Sequence, residues 1–223
     1  MKRILVACEE SQAVTKELRN LGHEAFSCDL LPCSGGHPEW HFQEDVFKVI
    51  DKGWDIMIAH PPCTYLAVSG ARWMYHPDDN ELPFNERRPH PKHPNRRKQQ
   101  ADALAFVKQL MDAPIPKIAI ENPISVISSK IRKPDQIVHP WMFGDKASKS
   151  TCLWLKNLPE LVPTDIVDKG DFKEWVDKKS GKIKRQALWY YEALQNAKSS
   201  AERSTLRSKT FKGLAKAMAN QWT

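Results

Sequence analysis

Two polar side chains with complementary chemistry each follow a short apolar run of the sequence. Cys63 follows Asp55-Ile-Met-Ile-Ala-His-Pro-Pro, and Glu121 follows Lys117-Ile-Ala-Ile and precedes Asn122-Pro123. Each run is typical of a buried strand that stops at a polar group beside proline. Ligands of α/β sheets bind at the carboxyl ends of the strands. A thiol and a carboxylate at two such ends predict a nucleophile beside an acid.

The spacing of apolar residues predicts the elements that position these groups. Strands are predicted over 3–8, 24–29, 55–60, 117–120 and 152–155, and a short helix over 45–50. The predicted apolar faces of three longer helices are Val14, Leu18 and Leu21; Ala101, Leu104, Val107, Leu110 and Met111; and Phe211, Leu214, Ala215, Met218 and Trp222. Ser11 is the predicted N-cap of the first helix and Gly22 its stop. The strand–helix–strand order indicates parallel βαβ units and an α/β fold.

Composition limits the class of protein. The chain has 223 residues and 41% hydrophobic content, which fits one domain with a packed core. No apolar stretch approaches the roughly 20 residues that span a bilayer, and the first residues do not resemble a signal peptide. The five cysteines are an odd number without framework spacing, so we expect reduced thiols, a cytoplasmic location and no membrane partner. We favour a monomer.

The positive charge is concentrated near the end of the chain. Residues 166–223 hold 13 Lys and Arg against 6 Asp and Glu, whereas residues 1–165 hold 21 of each, so the net charge of +7 belongs to the last quarter. This asymmetry favours a polyanion such as nucleic acid as partner, because phosphate contacts supply most nonspecific affinity. A solvated, charged helical segment is the alternative interpretation.

The motifs in this order resemble those of a known enzyme family. Pro61-Pro62-Cys63 followed by Ser69, and then Glu121-Asn122-Pro123, are similar to the two catalytic motifs of DNA cytosine carbon-5 methyltransferases. The similarity is closest to small phage and prophage members, which carry segments like 149–156 and 207–211. It covers most of 3–156 and 206–222.

The resemblance implies a fold, a cofactor and a reaction. It implies a Rossmann-like class I methyltransferase fold, with a mostly parallel sheet and helices on both faces. Residues 1–156 and 206–223 would form the catalytic domain, and 157–205 a small basic, aromatic insertion or recognition segment. S-adenosylmethionine would donate a methyl group to carbon 5 of cytosine in DNA. Cys63, as thiolate, would add to carbon 6, and Glu121 would act as an acid whose pKa is raised by burial beside the base.

The family's glycine-rich cofactor motif is missing between Ala7 and Gln12. The resemblance therefore assigns Glu9 or Glu10 to the ammonium of the cofactor. Asp29, at the end of the second strand, would bind the ribose hydroxyls. The remaining cofactor candidates are Asp45 and Val46, near adenine, and Pro62.

The candidate residues for the DNA substrate are Ser69, Arg72, Asn122, Arg132 and Lys149. The proline-rich, basic segment 70–98 predicts a mobile loop that closes over a base extracted from the duplex. The aromatic residues of 157–205 could stack on bases or pack a small helical subdomain. Cys28, Cys33 and His37 have irregular spacing and lack a fourth ligand, so no metal site is predicted.

Two other functions fit parts of the pattern. A hydroxymethylase-like transferase acting on a pyrimidine nucleotide also adds a cysteine to carbon 6, but it would not need the basic, aromatic tail. A catalytically silent DNA-binding relative would not need both Cys63 and Glu121. Duplex binding separates the first alternative from a DNA methyltransferase, and methyl transfer separates the second.

Overall fold

The computed structural model describes residues 1–178, 180–199, 202, 206, 208 and 210–223. In chain order the strands are β1 (Arg3–Ala7), β2 (Glu24–Asp29), β3 (His41–Gln43), β4 (Ile56–Ala59), β5 (Lys117–Pro123), β6 (Gln136–Val138), β7 (Thr151–Lys156), β8 (Phe172–Val176) and β9 (Ile183–Ala187). The α-helices within these described ranges are α1 (Ala13–Asn20), α2 (Arg96–Met111), α3 (Ile127–Lys130), α4 (Leu188–Asn196) and α5 (Lys212–Trp222).

Seven strands form one sheet in the order β3-β2-β1-β4-β5-β7-β6. The pairings of β1 with β2 and β4, of β2 with β3 and of β4 with β5 are parallel, whereas β7 is antiparallel to both β5 and β6. Among the strands of this sheet, β7 alone therefore runs against the others. This strand order, with its reversed seventh strand, is the Rossmann-like topology of class I methyltransferases, as the sequence predicted.

The core lies on both faces of the sheet, because side chains of a strand alternate between its faces. In β4, Ile56 and Ile58 pack with α1 and α5, whereas Met57 and Ala59 pack with α2. The side chains of β1 alternate between the same two clusters, so the central strands are buried on both faces. Such strands read as continuous apolar runs, which is why they were recognisable in the sequence.

Most predicted elements are confirmed, and the errors lie at their ends. Ser11 is not the N-cap of α1: Gln12 precedes the helix in a left-handed conformation and makes no side-chain cap. Leu21 lies beyond α1 and is 44% exposed, and Ala101 of α2 is exposed. The predicted helix over 45–50 is a single 3-10 turn, Val46–Lys48.

β5 is longer than its apolar run. Its parallel pairing with β4 ends at Ile120, but its antiparallel pairing with β7 continues to Pro123. Glu121 and Asn122 therefore lie inside a strand, held on one side only. The sequence placed them just after the strand because its apolar pattern stops at Ile120.

The segment predicted as an insertion contains a separate two-stranded sheet, β8 and β9, followed by α4. No residue of α4 is buried, whereas α5 buries six, among them Met218 and Trp222. In the segment 207–211, residues 207 and 209 lie outside the described residues. The division of the chain into 1–156 with 206–223 and 157–205 stays a prediction. None of the helices in the described part of the chain is long and apolar enough to cross a membrane.

The closing helix should be essential to stability. Trp222 is 2% exposed and its Nε1 donates a hydrogen bond to the carbonyl of Pro159 at 2.9 Å. We expect Trp222→Ala to lower the free energy of unfolding by about 3–5 kcal/mol, because a large cavity and an unpaired carbonyl remain. Urea denaturation measures the change. Lys216→Ala, at an exposed position of the same helix, should stay within about 0.5 kcal/mol of the wild type, and equal effects would contradict this role.

Candidate active site

The carboxyl ends of β1, β4 and β5 meet at one edge of the sheet, because these strands are parallel neighbours. The turn after β1, the His60–Cys63 segment after β4 and the last residues of β5 therefore face the same crevice, the place where α/β sheets bind ligands. The topology thus brings the two motifs to one edge.

Hydrogen bonds fasten the segment after β4 to the segment after β5. The buried amide of Asn122 donates from Nδ2 to the carbonyl of Pro61 at 2.8 Å. Further along, Val68 N donates to the carbonyl of Ile124 at 3.1 Å, and Val126 N donates to the carbonyl of Leu66 at 2.9 Å. We call these three bonds the interstrand clip. The clip explains why the Pro-Pro-Cys and Glu-Asn-Pro segments stay side by side.

Cys63 lies at the start of a tight turn held by the clip. Its carbonyl accepts hydrogen bonds from Leu66 N at 3.0 Å and Ala67 N at 2.9 Å, and its side chain is partly buried. Pro61 is buried and Pro62 is exposed. The two prolines restrict φ and donate no backbone hydrogen bond, so they define the approach of the chain to the thiol.

Glu121 is paired with a histidine that the sequence analysis overlooked. Ala59 and Ile120 are register partners, so the next residues of the two parallel strands, His60 and Glu121, are neighbours. Nδ1 of His60 lies 3.2 Å from Oε2 of Glu121, and the two side chains are only 10% and 14% exposed. His60 directly precedes Pro-Pro-Cys, and this position at a strand end could have identified it as a candidate site residue.

The predicted rise in the pKa of Glu121 concerns the acid buried beside its base, and without that base the pKa is held low. Burial alone would raise the pKa of Glu121, but the hydrogen bond with His60 and the charge of Lys149 outweigh burial and hold it below its usual value. Burial would likewise lower the pKa of His60, but the hydrogen bond and charge of Glu121 hold it above its usual value. Both shifts favour the charged forms, an imidazolium and a carboxylate.

The structure distinguishes two candidate cations. Lys149 precedes β7, and its charge acts on both Glu121 and His60. Arg132 instead donates to Asp135 Oδ2 at 2.8 Å and to the carbonyl of Leu155 at 3.0 Å, and Leu155 pairs with Ala119 toward the other end of β5. Lys149 is brought to the site, and Arg132 is not.

The turn between β1 and α1 achieves a tight path without glycine. Cys8 and Gln12 both have positive φ, 60° and 56°, in a region that costs most residues energy. Such strain persists only where the surroundings enforce it, and it clusters at functional sites. A left-handed backbone conformation at a cysteine leaves no trace in the spacing of apolar residues. The sequence therefore showed only that glycine was missing from this turn.

The carboxylate of Glu9 binds the first turn of α1. Its carboxylate is 4% exposed and accepts hydrogen bonds from Val14 N at 2.7 Å, from Thr15 N at 3.3 Å and from Thr15 Oγ1 at 2.7 Å. A carboxylate at this position also interacts favourably with the helix dipole. Glu9 thus performs the capping that was expected of Ser11, and Glu10 is the better candidate for an ammonium ligand.

Three further acids surround the end of β1. Burial, then the charges of Asp29 and Glu9, raise the pKa of Glu10. Burial and the charges of Asp29, Cys28 and Asp45 raise the pKa of Cys8. Asp29 ends β2, and Asp45 caps the 3-10 turn that begins at Val46, whose side chain is in the core. This crowd of carboxylates suits a ligand that carries hydroxyl groups and a positive charge.

The segment 64–98 is folded around the buried carboxylate of Asp79, which pairs with the largely exposed side chain of Arg88. Asp79 is 2% exposed and accepts from Arg88 N at 2.8 Å, from Nε at 3.0 Å and from a terminal nitrogen at 2.6 Å. Arg87 lies over the ring of Phe84, and Arg96 donates to the carbonyl of Thr64 at 2.8 Å. The regular structure within 64–95 is limited to 3-10 turns, as its prolines predicted.

Ser69 and Arg72 lie on the exposed surface of this segment, in the 3-10 turn Val68–Trp73. A Cβ at Gly70, between them, would lie 2.5 Å from a guanidinium nitrogen of Arg96, so a larger residue there would require the Arg96 side chain to move. The segment therefore connects the turn of Cys63 with the start of α2 and presents basic groups beside it.

The aromatic residues of the predicted insertion divide into two kinds. Trp189 packs against Phe211 with ring centroids 5.3 Å apart, and its Nε1 donates to the carbonyl of Ser148 at 3.2 Å, next to Lys149. Trp175 of β8 is 40% exposed on a hairpin that carries Lys184 and Arg185. The first ring attaches the segment to the body of the protein, and the second is available to a partner.

No protein-family model matches the chain, and no curated protein matches it. Among solved structures, it is similar to a prophage-encoded protein from E. coli that is named as a candidate DNA modification methyltransferase, with a TM-score of 0.45 and 12% sequence identity. The similarity covers 87% of this chain and 64% of that one, so this chain spans less than two thirds of its length. The fold assignment rests on the strand order and not on this likeness.

The ion pair of Asp79 should hold the segment 75–97 in place. Hydrogen bonds from Arg88 lower the pKa of Asp79 from 3.8 to about 2, so the pair contributes fully above pH 3.8 and its contribution is lost as the pH falls toward 2. We expect Asp79→Asn to accelerate trypsin cleavage after Arg87 by about 10-fold at neutral pH, because local opening exposes the Arg87–Arg88 bond. Asp78→Asn, whose side chain is 78% exposed, is the matched control, and equal cleavage of both variants would refute the role.

Proposed function

We propose that this chain methylates carbon 5 of cytosine in DNA by covalent addition of Cys63 to carbon 6. The observation that carries the proposal is the interstrand clip, which places Pro-Pro-Cys and Glu-Asn-Pro on neighbouring strand ends of a class I methyltransferase sheet. A nucleophile and an acid at adjacent strand ends can act on the two sides of one pyrimidine ring.

In the proposed reaction the Cys63 sulfur forms a bond to carbon 6 of the ring. That addition moves electron density to carbon 5, which would then take up a methyl group. Bound S-adenosylmethionine would supply this group as its bond from methyl carbon to sulfur breaks and a neutral thioether leaves. Loss of the proton from carbon 5 expels the thiolate and restores the aromatic base. The tight turn after Cys63 supports this role, since it limits the positions that the thiol can take.

Glu121 would hold the ring from its other side. A carboxyl group near ring nitrogen 3 donates a proton as negative charge develops there, which is general acid catalysis. Its burial supports the role, because electrostatic interactions are stronger away from water. Asn122 supports the reaction indirectly through the clip, and Lys149 adds positive charge beside the acid.

The acids around the end of β1 would hold the cofactor. Glu10 is the candidate for its ammonium, Asp29 for its ribose hydroxyls, and the turn at Asp45 and Val46 for its adenine. The crowding that raises the pKa of Glu10 supports this assignment, because a bound cation relieves repulsion between carboxylates.

A DNA partner fits the distribution of charge. The exposed arginine and serine of the segment after Cys63, Arg72 and Ser69, suit phosphate contacts, and the β8–β9 hairpin adds Lys184, Arg185 and the exposed ring of Trp175. Phosphate contacts position a protein on a duplex, and aromatic rings stack on extruded bases. A base must leave the stack before a thiol can reach its carbon 6.

The covalent intermediate provides the decisive test. The fluorine of 5-fluorocytosine cannot leave carbon 5 in the way that a proton does. DNA that contains this base should therefore trap the wild-type protein as a covalent complex in the presence of S-adenosylmethionine. Cys63→Ala should abolish both the trapped complex on a denaturing gel and methyl transfer to ordinary DNA, because the nucleophile is removed. Cys33→Ala, which removes another partly exposed thiol, should retain both.

Two outcomes would contradict the proposal. Normal methyl transfer by a folded Cys63→Ala protein would remove the nucleophile from the mechanism. Methylation of the exocyclic amine, located by mass spectrometry of the nucleosides, would show that the chemistry is of another kind. Failure to bind duplex DNA with retained activity on a pyrimidine nucleotide would favour the hydroxymethylase-like alternative.

The cofactor assignment predicts a specific loss of affinity. Oδ1 of Asp29 accepts a hydrogen bond from Leu31 N at 2.9 Å, and Asp29→Asn retains this acceptor while it removes the charge. We expect the variant to bind S-adenosylmethionine about 10- to 100-fold more weakly, because a charge-assisted hydrogen bond to a hydroxyl is lost. Calorimetry measures the affinity, with Asp51→Asn as an exposed control. Unchanged affinity would place the ribose elsewhere.

A further inference from the structure

His60 and Glu121 form a nearly enclosed, hydrogen-bonded pair at the carboxyl ends of β4 and β5. Their nitrogen and oxygen lie 3.2 Å apart and neither side chain is more than 14% exposed. His60 is held firmly, since its backbone N–H donates to the carbonyl of Ala7 at 2.9 Å. Its Nε2 is buried and has no hydrogen-bond partner among the described residues. Among the described residues, the side chain of Glu121 is therefore the one hydrogen-bond partner of the imidazole.

Three ionisable groups from two other parts of the chain surround the pair. Glu9, after β1, favours the imidazolium, and Lys149, before β7, opposes it and favours the carboxylate. Cys152 of β7 is fully buried, and burial followed by the charge of Glu121 raises its pKa to about 11, so it stays neutral. Together with the 3.2 Å contact, these surroundings favour the proton on Nδ1 of His60 over Glu121.

This location creates a difficulty for the proposed reaction. A carboxylate cannot donate a proton to ring nitrogen 3, and its lone pairs would repel the lone pair of that nitrogen. Glu121 therefore needs a proton when the base enters. The nearest described group that can supply one is His60, whose Nδ1–H already points at the carboxylate.

We propose that His60 is a positioning residue that stores the proton which Glu121 delivers to the pyrimidine ring. The inference rests on the proposed function and extends it. When the base fills the crevice, the proton moves from Nδ1 of His60 to Glu121, which leaves a neutral imidazole and a carboxylic acid without a change in total charge. Removal of the remaining water favours this neutral pair over the ion pair, because buried charges are costly. Return of the proton after release of the product restores the resting state.

Transfer of the Nδ1 proton changes only one of the two ring nitrogens. The neutral imidazole that remains keeps its hydrogen on Nε2, which is buried and has no hydrogen-bond partner among the described residues. The environment of Nε2 is therefore the same before and after the transfer, and only the proton shared with Glu121 moves.

The first experiment locates the proton and needs neither DNA nor cofactor. The ring nitrogens of His60 in the full chain can be titrated by NMR, with His60→Asn to assign the signal. We expect His60 to titrate above the ordinary imidazole pKa of about 6.5, and Glu121→Gln to lower that pKa because the carboxylate is removed. His139, whose pKa burial lowers, should not respond to Glu121→Gln. A neutral His60 at pH 6.5, or no response to Glu121→Gln, would overturn the proposal.

The second experiment follows methyl transfer to DNA as a function of pH. In His60→Asn the amide nitrogen takes the place of Nδ1 and keeps a hydrogen bond to Glu121, but it cannot supply a proton. We expect the alkaline limb of kcat to move to lower pH, with a loss of roughly 10- to 100-fold at pH 8 that recovers as the pH falls. A loss of equal size at every pH would indicate a structural role and overturn the proposal.

The two experiments separate this inference from the proposed function. If the wild-type protein transfers no methyl group to DNA, the proposed function fails, and the titration still decides whether His60 holds the proton of the pair. If methyl transfer occurs but the alkaline limb of His60→Asn coincides with that of the wild type, the function stands and the storage role fails.

Discussion

The candidate site depends on the parallel pairing of β4 with β5. This pairing places His60 beside Glu121 and allows the amide of Asn122 to reach the carbonyl of Pro61. Parallel strands are joined through crossovers, so the two segments are about 60 residues apart in the chain and meet only because the sheet forms. Every later feature of the crevice, from the turn of Cys63 to the charge on Glu121, follows from this contact.

The two parts of the crevice differ in the charges that surround them. Around the end of β1, carboxylates crowd one another, and burial and repulsion raise the pKa of Glu10. Around the ends of β4 and β5, His60 and Lys149 supply positive charge, and the pKa of Glu121 falls. One part is therefore suited to a cationic ligand, and the other to an acid that exchanges its proton with a neighbour. A methyl donor and a pyrimidine would need these two environments side by side.

The strain in the turn after β1 shows how the chain manages without a glycine-rich loop. Cys8 and Gln12 adopt left-handed conformations, and Glu9 turns inward to cap α1. Three contacts with the helix stabilise a backbone path that glycine would adopt at no cost. The consequence is that Glu10 remains at the crevice with Asp29. The turn after β1 is thus tight without glycine, because contacts with α1 hold its strained backbone.

The sequence by itself determined the α/β class, the central strands and the motifs at Cys63 and Glu121, because continuous apolar runs and strand-end polar groups are local patterns. It did not determine the continuation of β5 to Pro123, since that pairing comes from β7, or the capping of α1 by Glu9 in place of Ser11. It also did not reveal the low pKa of Glu121 in the protein without substrate. Burial could be inferred from the apolar run, but the partner that outweighs burial, His60, is adjacent only in the folded sheet. Charge states depend on distances between residues remote in sequence, and only the tertiary structure sets those distances.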